Sequence, residues 1–167
     1  MTTSRRAARL LRSLRLGLPA GMLLAAACGE DPLQPEDMLG SYSLVQAQSQ
    51  PLPTLVSATD SCDTWLSAGD LSLDSYVGGL VFALTLEGEL DCTRGGSASV
   101  GWFTGPLVGP WELDGTTFTF RTSIPSADSL EELTFEGFVS GSRVEVTIPG
   151  REIASVDTLR LTFESAS

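Results

Sequence analysis

From Gly40 onward apolar and polar positions alternate in short runs, and no segment sustains the three-to-four-residue apolar repeat of a helix. Strict alternation predicts a strand with one buried face, because successive side chains leave a strand on opposite sides. The first run covers residues 40–47, with Tyr42 and Leu44 on one face. A loop with Pro51 and Pro53 follows, and short strands are predicted near 64–66 and 70–74. Leu80, Phe82, Leu84 and Leu86 then alternate cleanly, in a strand or hairpin that continues to Thr93. Runs at 97–104 and 106–113 lead to Asp114-Gly115, a tight-turn signal between two strands. Phe118 and Phe120 share one face of 116–122, opposite Thr117, Thr119 and Arg121. Leu133, Phe135, Gly137 and Val139 alternate again. Gly141-Ser142 makes a turn, Val144, Val146 and Ile148 face one way, and Leu159, Leu161 and Phe163 close the series. The one helix predicted is a turn or two over 126–132.

About eight short strands joined by short connections make an all-β domain over residues 39–167. An antiparallel sheet of this kind must hide its edges, and closing on itself removes them. The expected fold is an antiparallel up-and-down barrel or a strongly bent β-sandwich. Trp65, Trp102 and Trp111, with Tyr42 and Phe103, either line a pocket in an open cup or pack a filled core.

The start of the chain follows a different pattern. Arg5, Arg6, Arg9, Arg12 and Arg15 precede an apolar run over 16–27 that ends in Ala25-Ala26-Ala27 and is followed by Cys28-Gly29. A basic start, a limited apolar run and small residues at a cut define a secretory signal. The run is shorter than the roughly 20 apolar residues a spanning helix needs. Leu23 to Cys28 resembles the lipobox of bacterial lipoproteins, although Ala25 stands where a larger aliphatic residue is usual. The resemblance implies a signal peptide over 1–27, cleavage before Cys28, and acyl chains on Cys28. Several acyl chains hold a protein stably where one does so only marginally. The alternative is an ordinary signal cut near Ala27 with Cys28 as a bystander. Arg5-Arg6 raises twin-arginine export, but Ala8 and Arg9 favour the general secretory route. Gly29 rather than Asp after the cysteine leans toward an outer membrane. Residues 28–38, acidic and with two prolines, are expected to form a tether.

Charge and chemistry narrow the function. Beyond residue 27 the chain keeps five arginines against 21 acidic residues and has no lysine. Such a surface repels nucleic acid and anionic head groups. The absence of histidine removes the usual Ser-His-Asp set and histidine-based zinc sites. Glu87, Glu89 and Asp91 recur at a spacing of two, which puts them on one strand face, in reach of a shared cation or of acid–base work, or simply in solvent. Asp60, Asp63, Asp70 and Asp74 offer oxygens to calcium without forming a recognisable calcium loop. The glycine pairs have no helix after them and do not form phosphate loops. No cofactor is called for, and the chain is expected not to be an enzyme. Cys62 and Cys92, an even pair in an oxidising compartment, are expected to form a disulfide, with a redox or metal pair as the rival.

Gly40-Ser41-Tyr42-Ser43-Leu44, Leu52-Pro53, Val108-Gly109-Pro110-Trp111-Glu112-Leu113 and Leu159-Arg160-Leu161-Thr162-Phe163 together resemble the small lipocalin-like lipoproteins of bacteria. Tyr42 stands where lipocalins have a tryptophan, and Arg160 is placed near their late arginine that packs on it. The resemblance implies a lipid-anchored barrel in the cell envelope, at an outer or cell membrane facing periplasm or exterior, that binds a small apolar ligand. The alternative is a filled barrel that docks an envelope protein.

Overall fold

Alternating apolar side chains can be buried only if each strand turns the same face inward. The computed structural model describes residues 33–92, 96–101, 106–125, 129–149 and 158–166. The described residues form a 3-10 turn, Pro35–Met38, and eleven strands: β1 (Gly40–Ala47), β2 (Gln50–Pro51), β3 (Thr54–Ala58), β4 (Cys62–Tyr76), β5 (Gly79–Cys92), β6 (Gly96–Gly101), β7 (Leu107–Asp114), β8 (Thr117–Pro125), β9 (Leu130–Ser140), β10 (Arg143–Pro149) and β11 (Thr158–Ser165).

Eight of these strands close a barrel in the order β1-β11-β10-β9-β8-β7-β5-β4, and β4 returns to β1 through Gly40↔Leu73 to Ser43↔Asp70. Every neighbouring pair is antiparallel. Apart from the small strands β2, β3 and β6, chain order is barrel order, so the fold is an up-and-down barrel and not a sandwich.

β4 and β5 differ most from expectation. The pieces predicted at 64–66 and 70–74 are one strand of 15 residues, and β5 has 14. The two stay paired from Tyr76↔Gly79 to Cys62↔Cys92, with a bulge between Leu66 and Ala68. A bulge bends a strand and increases its twist, and here the partners change at the bend. On the barrel side β4 pairs with β1, and β5 with β7. Beyond it β4 pairs with β3, and β5 with β6. The outer halves therefore form a four-stranded sheet, β3-β4-β5-β6, that leaves the barrel wall. Gly69 lies at the bend, where a Cβ would come within 2.8 Å of a Leu86 methyl and 2.9 Å of the Thr85 carbonyl.

The helix expected over 126–132 is corrected in its second half. Leu130–Glu132 open β9, paired with Ser123–Pro125 of β8, because the ladder supplies hydrogen bonds that an isolated turn lacks. Residues 126–128 lie outside the described residues. At the other end of the chain, the segment read as a tether finishes in structure. Gln34 and Asp37 form a reciprocal capping box around Pro35–Met38, Met38 is buried, and Leu33 packs against the core. The compact unit extends from Pro32 to Ser167. Cys28 and the whole segment read as a signal peptide lie outside the described residues.

Candidate functional site

The barrel interior is the first place to look for a ligand. Phe82, Phe118, Phe120 and Phe163 have no accessible surface, and Trp111 and Phe135 have 2% each. No water-sized space therefore touches the four phenylalanines. Phe120 stands at the centre, 5.0 Å from both Phe82 and Phe135 and 5.6 Å from Phe118. Phe82 meets Phe135 edge-on at 5.5 Å, and Trp111 meets Phe118 at 5.4 Å. Leucine, isoleucine and valine from β4, β5, β10 and β11 fill in around the rings. Small barrels commonly pack their interiors this way.

Few polar groups enter this core. Thr122 donates its hydroxyl hydrogen to the Val108 carbonyl at 2.7 Å. Gly109 lies beside it, and a Cβ there would sit 1.9 Å from the Arg121 carbonyl oxygen, so β7 and β8 approach at a distance only glycine permits. Tyr42 is buried and donates to the Met38 carbonyl at 2.8 Å. Burial pushes its phenol above the ordinary tyrosine range. Trp111 Nε1 is the one buried side-chain nitrogen or oxygen without a hydrogen-bond partner among the described residues.

The residues singled out from sequence do not converge. Tyr42 and Trp111 point into the barrel, but Trp65 sits half-buried in the outer sheet opposite Glu89. Trp102 and Phe103 lie outside the described residues. Arg160 is exposed on the outer face of β11, so it does not pack on Tyr42 in the lipocalin manner; Leu159 and Leu161 take the inward positions. Glu87, Glu89 and Asp91 do share one exposed face of β5. Asp63 faces Asp91 across the ladder, Asp70 accepts from Ser43 at 3.2 Å, and Asp74 accepts from Ser72 at 2.6 Å. Among the described residues no group of three or more acidic or cysteine side chains is placed to hold a metal ion.

Cys62 and Cys92 form a disulfide with Cα atoms 4.1 Å apart. It joins two directly paired strand positions at the far end of the outer sheet rather than pinning a loop, because β4 already begins at Cys62. A shallow depression of about 210 Å3 lies beside it, lined by Thr59, Ser61, Asp63 and Asp91 as well as Cys62.

The outer surface carries features that the sequence reading passed over. Phe138 is 44% exposed on the polar face of β9, between Thr117 of β8 and Glu145 of β10. It borders two open depressions, of about 710 and 350 Å3, that share Thr147. Arg160 lines the smaller one. At the β4–β5 turn Tyr76 and Val77 are fully outside the core. The signal was available in both cases: Phe138 is out of phase with Leu133, Phe135 and Val139, and Val77 adjoins Gly78-Gly79. Arg121 and Glu112 form a bidentate ion pair at 2.7 and 3.4 Å on the same outer surface, which holds the Glu112 carboxyl below its usual range.

No protein-family model, no curated protein and no solved structure matches this chain.

Proposed function

We propose that the chain is an exported lipoprotein, anchored through Cys28, whose barrel is non-catalytic and works by its outside: a structural or protein-docking module of the cell envelope. The observation that carries the choice is the set of central rings with no accessible surface. A cup for an apolar ligand needs several hundred cubic ångströms of lined space, and that is hard to reconcile with a core whose largest side chains touch one another. The anchor rests on the resemblance of Leu23 to Cys28 to a lipobox. Docking through the outer wall is favoured by the exposed ring of Phe138 and the depressions on either side of it. The acidic surface, with no lysine to offset it, favours a partner with basic groups.

The test is native mass spectrometry of the full chain extracted from the membranes of the producing bacterium. The expected species is the polypeptide from Cys28 onward plus its acyl chains, with nothing else retained. A further bound mass of a few hundred daltons would restore the lipocalin-like binding reading, and an unacylated Cys28 would remove the anchor.

A further inference from the structure

We infer that the barrel rim bearing the β4–β5 turn is a membrane-contact face, with Tyr76 and Val77 seated in the interface of a zwitterionic lipid surface. The inference rests on the reading that Cys28 is acylated.

The turn is a protruding apolar tip. Val77 has the full exposure of a free side chain (111%), and Tyr76 is 68% exposed. Residues 75–80, Ser-Tyr-Val-Gly-Gly-Leu, contain no charge. Solvent-exposed turns ordinarily carry polar residues, so a valine at the apex needs a reason.

The tip stands at the end of the barrel from which the chain start departs. Gly40 opens β1 opposite Leu73, three positions before Tyr76, or about 10 Å along a strand. Leu39 is 37% exposed just before β1. The 3-10 turn Pro35–Met38 is tied to β1 by the Tyr42–Met38 hydrogen bond. Five peptide steps separate Leu33 from Cys28. At a maximum of about 3.5 Å each, they keep an acylated Cys28 within roughly 18 Å of Leu33. A tether this short presents the near rim to the bilayer and holds the opposite rim, with Leu130, away from it. The apex then exchanges water for the head-group boundary. Tyrosine suits that boundary because it pairs an apolar ring with a polar tip.

Charge selects the lipid. Glu36, Asp37, Asp74 and Asp114 are exposed around this rim, while Arg143 is already paired with Glu164 at 2.6 Å. These carboxylates lie within a Debye length or two of the surface and repel anionic head groups. A neutral, zwitterionic surface carries no such penalty.

The full acylated chain carrying Val77→Trp, and separately Leu130→Trp, is placed on phosphatidylcholine vesicles whose acyl chains are brominated, so that bromine quenches any indole at the interface. The unsubstituted chain supplies the background of the native tryptophans, and Tyr76→Trp is a second reporter at the tip. The expected result is a loss of emission beyond background for V77W and Y76W, none beyond background for L130W, and less quenching at the tip when phosphatidylglycerol is mixed in. Quenching at Leu130 rather than the tip overturns the inference, and so does an unquenched tip on a vesicle-bound chain whose mass shows acyl groups. Both outcomes leave the anchoring reading intact. A chain with no acyl mass on Cys28 overturns both.

Discussion

Tyr42 shows how one hydroxyl can tie the start of the chain to the barrel and also give it a pH limit. Its buried phenol donates to Met38, and burial raises its pKa. The neutral form is thus favoured by folding, so its stabilisation is complete below the unfolded phenol value near 10 and is lost as pH rises through the higher folded value. Tyr42→Phe should cost about 1 kcal/mol at neutral pH and flatten the fall in stability above pH 10. Urea unfolding at pH 8 and pH 11 measures both, and an unchanged alkaline slope would refute the assignment. Gly109 sets a steric limit instead. A Cβ 1.9 Å from a backbone oxygen cannot be relieved by a rotamer change, so Gly109→Ala should exceed the usual overpacking cost of about 1–3 kcal/mol. Gly141→Ala, with open space around it but a φ of +65°, should cost only about 1–2 kcal/mol. Denaturant midpoints rank the two. At this scale the inward set was legible: Tyr42, Leu44, Phe82, Phe118 and Phe120 follow from alternation alone. The unpaired Trp111 Nε1 was not, because a missing partner depends on neighbours brought from distant strands.

The outer sheet is an element with its own fate. Cys62–Cys92 clamps the free end of the β4–β5 ladder, whose other end is fixed by the Tyr76–Gly79 turn and the barrel contacts. Against global unfolding, which removes the hairpin too, the bond should contribute roughly 3 kcal/mol, and less against opening of the outer sheet alone, where the barrel half of the hairpin still holds the loop. Replacing both cysteines by serine should speed amide exchange over residues 87–92 and leave 81–84, paired with β7, protected. A uniform rise across β5 would show the disulfide supporting the barrel itself. Sequence divided β4 in two because Ser67-Ala68-Gly69 breaks the alternation, yet a bulge breaks alternation without ending a strand. The helix expected over 126–132 failed for the opposite reason: Leu130-Glu131-Glu132 suits a helix locally, but the edge of β8 offers hydrogen bonds to any chain that passes it.

Over the whole molecule, stability resides in the filled centre more than in the charged surface. Phe120→Ala should lose about 3–5 kcal/mol, since the ring contacts Phe82, Phe118 and Phe135. Arg121→Ala, one residue along on the exposed face, should leave the melting temperature nearly unchanged, its partner Glu112 being open to water. Calorimetry on the pair decides whether core or surface governs. The barrel was legible because eight alternating runs with short turns leave few ways to hide a sheet edge. The lipocalin-like packing of Arg160 on Tyr42 does not occur, and alternation told against it: Leu159 and Leu161 take the inward positions, which turns Arg160 to the opposite face. Closure has a further consequence for how the molecule is made. β1 lies between β4 and β11, so the wall is sealed by β11, which follows the other barrel strands in chain order. Until residues 158–165 arrive, the chain is an open seven-stranded sheet with β1 and β10 as bare edges, the surfaces that pair with strangers. A chain ended at Pro149 should therefore sediment as aggregate, where the whole chain does not. The fold in this way inspects its own completeness: a copy ended early leaves bare the β1 and β10 edges that β11 covers in the closed wall, and so exposes itself to aggregation and clearance.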